Sequence, residues 1–362
     1  MPGGVEMYVA RHRVHVIKRM PDTGKAHHPS CPSFEPDAML SGLGELMGEA
    51  VLEPEPGQVE LRVRFPWTRL LGPSGTRAEP AGGGTVAEPR RRMSLRAVMH
   101  YVFERAGFNR WTPAMEGRRN QAVLRKYLLE AASGVVVKGV SLTERLYVPE
   151  PFSEATKAEA AQRRREKLAV LQPRDGHVPL ALVIGEFKSC EPAASGHRLW
   201  IRHMPDAPLL LSDATWRKLQ RVAAPLFEAR DADSAHRVRL ALCALIRAKR
   251  EFTYEIEAAS LMLVTAQWIP VEGVCELPLL DALVEARRRF IKPLAYDAPH
   301  AAAFPNALLL DAGAAALPLH AVSPFLDSRD RARKERAIAQ AGPGAWAWHT
   351  DQPMPPLPPA RP

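Results

Sequence analysis

The chain is poor in cysteine. Only Cys31, Cys190, Cys243 and Cys275 stand among its 362 residues, and their scatter excludes a disulfide framework and argues for a reducing compartment, the cytoplasm. Long apolar runs are missing too. The most apolar late stretch, Ala301 to Val322, is broken by Pro305, Asp311 and Pro318, so it falls short of the ~20 apolar residues that a membrane span needs. Near the start, Arg11, Arg13, Lys18 and Arg19 interrupt any signal-peptide core. The sequence also lacks a Walker loop, Gly-x-Gly-x-x-Gly, a serine nucleophile elbow and His-Glu-x-x-His, which removes the common nucleotide-binding, hydrolase and metalloprotease signatures.

What is present supports a folded, basic protein. Hydrophobic residues make up 46% and charged residues 25%, enough apolar side chain for a packed core. Acids are outnumbered, 40 against 49 Lys and Arg, leaving a net charge of +9. That balance favours an anionic partner. Nucleic acid stands ahead of a membrane surface, because no long amphipathic segment joins a basic face to a broad aromatic one.

The hydrophobic pattern predicts an α+β fold. Residues 1–70 read as a small β region, with paired strands in Met7 to Ile17 and a further strand at Val59 to Phe65. Residues 71–92 are rich in Pro, Gly and charge and read as a flexible linker ending in Arg90, Arg91 and Arg92. Over 93–172 the apolar spacing is helical: Ser94 caps a first helix that stops before Gly107, and Thr112-Pro113 opens a longer one reaching Ala132. Residues 173–326 predict an antiparallel sheet of at least four strands, Leu180 to Met204 supplying two and Val238 to Ile269 two more, with helices packed on it. The last segment, 327–362, alternates in charge and then turns Pro-rich, the composition of a disordered tail.

Three groups of residues could carry function. Glu186 and Lys188 follow the apolar run Leu180 to Ile184; two apart on a strand, they project from one face and could share a ligand. In a metal-dependent nuclease such a glutamate holds Mg²⁺ and the lysine steadies the attacking water; Asp175 is the nearest upstream acid for the second carboxylate. An acid and a base on a half-exposed strand also form ordinary solvated pairs. His27, His28 and Cys31 offer part of a zinc site, although a structural site needs four ligands. On the helix ending at Ala132, Arg118, Arg119, Arg125 and Lys126 gather opposite Val123, Leu124, Tyr127, Leu128 and Ala131. With the preceding helix and a wing at Val135 to Val140, this resembles a helix-turn-helix that could meet DNA. Burying an apolar stripe leaves charges outside in any case.

The segments KRMPDTGKAHHPSCPSFEP (18–36), LSGLGELMG (40–48), GFNRW (107–111), YVPEPFS (147–153), VIGEFK (183–188), QWIPVE (267–272) and RRFIKPLAY (288–296) together resemble a bacterial family known as domain of unknown function 1173. The resemblance runs to about Asp311. It implies carriage on plasmids and integrating elements, where DNA-processing factors are frequent, and a Cys-x-Cys ahead of the segment equivalent to Pro2 to Ala10. A zinc knuckle completed by His27 or His28 with Cys31 would need that pair, which does not stand in this sequence. The reading that follows is a non-catalytic, nucleic-acid-associated accessory factor, with a metal-dependent nuclease and a protein-interaction scaffold or regulator as the alternatives.

Overall fold

The computed structural model describes residues 4–11, 15–20, 23–55, 57–70, 91–233, 237–342 and 345–361. Most of the expected linker, Gly72 to Pro89, lies outside them, as does Arg90. The fold is mixed α+β. Seven α-helices occur among the described residues: α1 (Leu95–Arg105), α2 (Gln121–Ala132), α3 (Leu142–Arg145), α4 (Lys157–Leu168), α5 (Asp213–Ala232), α6 (Leu277–Glu285) and α7 (Ser328–Gln340). Two compact units are drawn from alternating stretches of chain: residues 1–45, 107–119 and 265–362 form one, 46–106 and 120–264 the other.

The second unit is built around the strand Ala181–Pro192. It pairs antiparallel with Val238–Arg250, Ala181 opposite Ile246 through Glu186 opposite Ala241, and antiparallel with His197–Ile201 farther along. The path continues through Leu209–Leu211 and Thr253–Thr265 and returns to Val238–Arg250, so the strands close on themselves. Closure removes the exposed edges that an open sheet would present. The sheet is mixed rather than purely antiparallel, because Leu209–Leu211 meets Thr253–Thr265 in parallel, as does Leu146–Tyr147 with Ala181–Pro192. The near-continuous apolar run of Val238–Arg250 follows from cover on both sides: nine of its residues are buried, and α1 and α5 both pack against it. At ~25 cal/mol per Å², each fully buried Leu or Ile there contributes about 2 kcal/mol.

α1 forms as its sequence dictates. Ser94 accepts from the Ala97 amide at 3.2 Å, and Ala97, Val98, Met99, Val102 and Phe103 are wholly buried. A second sheet joins Val51–Glu55, Gln58–Leu61, Val135–Val137 and Val140–Ser141. The expected wing is thus an internal hairpin, fixed in parallel to Gln58–Leu61.

In the first unit, the hairpin Met7–Arg11 with His15–Arg19 pairs as the alternation predicts. A five-stranded sheet runs Trp346–His349, Leu317–Val322, Ala307–Leu309, Phe290–Ile291, Arg110–Trp111. Its presence corrects the expected disordered tail: residues 328–340 form α7, Trp346–His349 pairs in parallel with Leu317–Val322, and the indole of Trp346 donates to the Pro356 carbonyl at 3.0 Å. Composition misled here because two tryptophans, 8% and 6% exposed, bury enough surface to order a Pro-rich segment.

Candidate nucleic-acid interface

The Glu-x-Lys pair does not converge on a ligand. Glu186 is 5% exposed, and its carboxylate accepts from Arg202 Nε at 2.6 Å and from Arg239 at 3.4 Å. Phe187 opposes Ile201 while Ser189 opposes Trp200, so Lys188 is the extra residue of a β-bulge and turns into solvent. The bulge breaks the two-residue alternation on which a shared site depended. Asp175 sits in a left-handed corner, φ 50°, of the turn closed by Arg174 and His177. Where the nuclease reading needs a second carboxylate beside Glu186, the chain supplies two guanidiniums, whose charge opposes a cation. These residues do not fit Mg²⁺. Gly185, next in the strand, is required by close packing: a Cβ there would stand 2.6 Å from Ile201 Cγ2.

The zinc reading finds two of its members together. His27 is buried with Nδ1 3.7 Å from Cys31 Sγ, whereas His28 turns to Ser30 Oγ at 2.8 Å. Among the described residues no group of three His, Cys, Asp or Glu is arranged to hold a metal ion, so the set present does not fit tetrahedral zinc.

The expected basic helix face is divided. α2 starts only at Gln121, capped by Asn120, which accepts from the Val123 amide at 3.1 Å; Pro113–Met115 is a separate 3-10 turn. Arg118 and Arg119 therefore precede the helix and belong to the other compact unit. Arg118 is exposed. Arg119 is largely enclosed: it donates to the carbonyls of Phe108, Gly107, Arg110 and Gln267 and lies over the rings of Phe108 and Trp111. Burial pushes its guanidinium down to about 10. It ties the GFNRW segment in place, with both terminal nitrogens engaged by backbone carbonyls. The connection between α1 and α2 runs through the strand Arg110–Trp111, far longer than the three or four residues of a helix-turn-helix. On α2 itself Arg125 turns to the Val148 carbonyl and Glu150, and Lys126 lies 3.9 Å from Glu130. Arg91 stands 4.0 Å from Glu49, and Arg92 is exposed.

A different helix offers cations to solvent. α5 begins at the Ser212 cap, which accepts from the Thr215 amide at 3.2 Å, and buries Leu219 and Ala223. Opposite them, Arg217, Lys218 and Arg221 are exposed, and none stands in an ion pair among the described residues. Arg217 and Arg221 lie just over one turn, ~6 Å, apart along the axis. No acid falls between Asp213 and Glu228. The helix dipole favours cations in the last turn, and these three sit in the first half, so helix stability does not account for them. The sequence did carry the signal: cations at i, i+1 and i+4 around buried Leu219 and Ala223, over a stretch free of acids.

His203 behaves as a hydrogen-bonded structural histidine. Its Nδ1 accepts from the Phe152 amide at 3.1 Å, and burial holds it below the usual imidazole range against the opposing pull of Glu186.

No curated protein and no solved structure matches the chain. No helix among the described residues is long and apolar enough to cross a membrane. A family model described as "Protein of unknown function (DUF1173)" matches residues 1–351, which carries the likeness past Asp311 and through Trp346–His349. The chain belongs to the DUF1173 family.

Proposed function

We propose that this protein is a non-catalytic factor that associates with nucleic acid, with the exposed face of α5 as its phosphate-contacting surface. The observation that supports this is the triad Arg217, Lys218 and Arg221, free of carboxylate partners among the described residues, on a helix whose other side is anchored in the core. Cations paired within the protein gain little from meeting a backbone phosphodiester, which carries one charge as a carboxylate does, since one ion pair is exchanged for its like. Unpaired ones release counterions from the nucleic acid when they bind, and that release supplies most of sequence-independent affinity. The accessory role fits the plasmid and integrating-element setting that the sequence resemblance implies. Charge reversal of all three residues to glutamate should abolish retention on a duplex DNA column at low salt while leaving the fold intact by circular dichroism. Retention equal to that of the wild type would refute the reading.

A further inference from the structure

The loop Val148–Phe152 and the helices beside it form a second basic site that the α5 reading does not use. A groove of about 620 Å³ is lined by Ala122 and Arg125 of α2, Arg163 of α4, and Glu150, Ser153 and Thr156 between them. Arg163 grips Glu150 with a fork, Nε at 3.1 Å from both oxygens and its terminal nitrogen at 2.7 Å from Oε2. Arg125 reaches the same carboxylate at 3.4 Å. Glu150 is held below the ordinary carboxylate range by that hydrogen bond from Arg163 and by the charge of Arg125. One carboxylate thus occupies the focus of two guanidiniums.

The loop's backbone is fixed independently of that carboxylate. Gln121 donates to the Pro149 carbonyl at 2.7 Å, Arg125 Nε to the Val148 carbonyl at 3.2 Å, and the Phe152 amide to His203 at 3.1 Å. Pro149 and Pro151 stiffen it on either side of Glu150. Removing Glu150 from the arginines therefore needs only rotation of one side chain. The hydroxyls of Ser153 and Thr156 cap no helix and supply further donors to the groove. A planar guanidinium fork matches carboxylate and phosphate oxygens equally well, and what separates the two ligands is charge and donor count. A phosphate monoester brings nearly two charges and three acceptor oxygens where Glu150 brings one charge and two oxygens. The volume suits a mononucleotide, with Ala122 and Pro151 as apolar wall.

We infer that this groove binds the phosphate monoester of a nucleotide, such as a strand's 5′ end, and that Glu150 is an internal occupant which the phosphate displaces. The choice of a nucleotide as carrier rests on the nucleic-acid reading above; the phosphate chemistry rests on the groove alone.

The test is titration of wild type, Glu150→Gln and Arg163→Gln with inorganic phosphate and with 5′-AMP at matched ionic strength, followed by calorimetry. Glu150→Gln should bind both about tenfold more tightly than wild type, because one charge-assisted contact no longer competes, and Arg163→Gln should bind neither. Equal affinity of wild type and Glu150→Gln would overturn the displacement, and equal affinity of wild type and Arg163→Gln would overturn the site. Should either variant fail to fold, thermal stabilisation of the wild type by low-millimolar 5′-AMP but not by adenosine at matched ionic strength decides the matter, and no difference between the two counts against the groove. Short oligonucleotides with and without a 5′-phosphate separate this site from α5. The phosphate increment should survive neutralisation of Arg217, Lys218 and Arg221 and vanish in Arg163→Gln; binding of inorganic phosphate without any 5′-AMP preference would leave the anion site standing and remove the nucleotide.

Discussion

Replacing Lys334 with methionine should erase a pH dependence that the wild-type protein carries. Lys334 is the one buried residue of α7, 3% exposed, and its ammonium donates to the Phe304 carbonyl and to Asn306 Oδ1, both at 2.7 Å. Burial pushes it down to about 7 from 10.5, with Glu276 opposing the shift and Lys292 adding to it. His320, beside it, is held down to about 4 by burial and stays neutral across the range that matters. Because the folded-state value lies below the unfolded one, the unfolded chain binds the extra proton between them, and stability rises with pH from about 7 to about 10.5. The whole window is worth about 5 kcal/mol, of which about 3 kcal/mol is recovered between roughly pH 6 and 9. Urea unfolding of wild type and Lys334→Met across that range isolates the group: the wild type should gain about 3 kcal/mol on the variant as pH rises, at unchanged m-value. A difference that stays constant within about 0.5 kcal/mol would show that Lys334 is not desolvated as its surroundings imply.

Arg119→Met keeps volume but strands the carbonyls of Phe108, Gly107, Arg110 and Gln267, and should cost about 3 kcal/mol by urea unfolding; a loss under about 0.5 kcal/mol would mean that the arginine is dispensable to the GFNRW segment. Glu186→Ala should destabilise by about 1 to 3 kcal/mol, less than for a sealed ion pair because Arg202 and Arg239 both reach solvent, while Lys188→Ala should be neutral within about 0.5 kcal/mol. The same two variants decide the nuclease question: Mg²⁺-dependent DNA cleavage by the wild type that either one abolishes would reinstate a Glu-x-Lys centre.

Local signals were legible in the sequence and long-range ones were not. Ser94 ahead of a helical apolar stripe fixed the start of α1, and short continuous apolar runs placed the strands around Ala181–Pro192 and Val238–Arg250, because caps and apolar runs are properties of neighbouring residues. Closure of those strands was invisible, since it depends on the single parallel pair Leu210 with Glu255, distant in sequence. The interleaving of the two units was hidden for the same reason: nothing within Gly107–Arg119 announces that Trp111 will pair with Phe290. At the candidate sites the residue types were visible but their partners were not. Glu186 and Lys188 were separated by one bulge, and Arg119 was drawn inward by four carbonyls. α5 shows the converse, for its acid-free stretch could have been read from the chain and was outweighed by the more conspicuous arginines before α2.

Salt-dependent duplex binding measures most directly whether the α5 cations meet phosphate. Fluorescence anisotropy of a labelled duplex, titrated over a range of salt with wild type and with Arg217→Gln, Lys218→Gln and Arg221→Gln singly and combined, gives the slope of log affinity against log salt. Each neutralisation should flatten that slope by about 0.9, and the triple variant by nearly three times as much. A triple variant with the slope and affinity of the wild type would contradict the account.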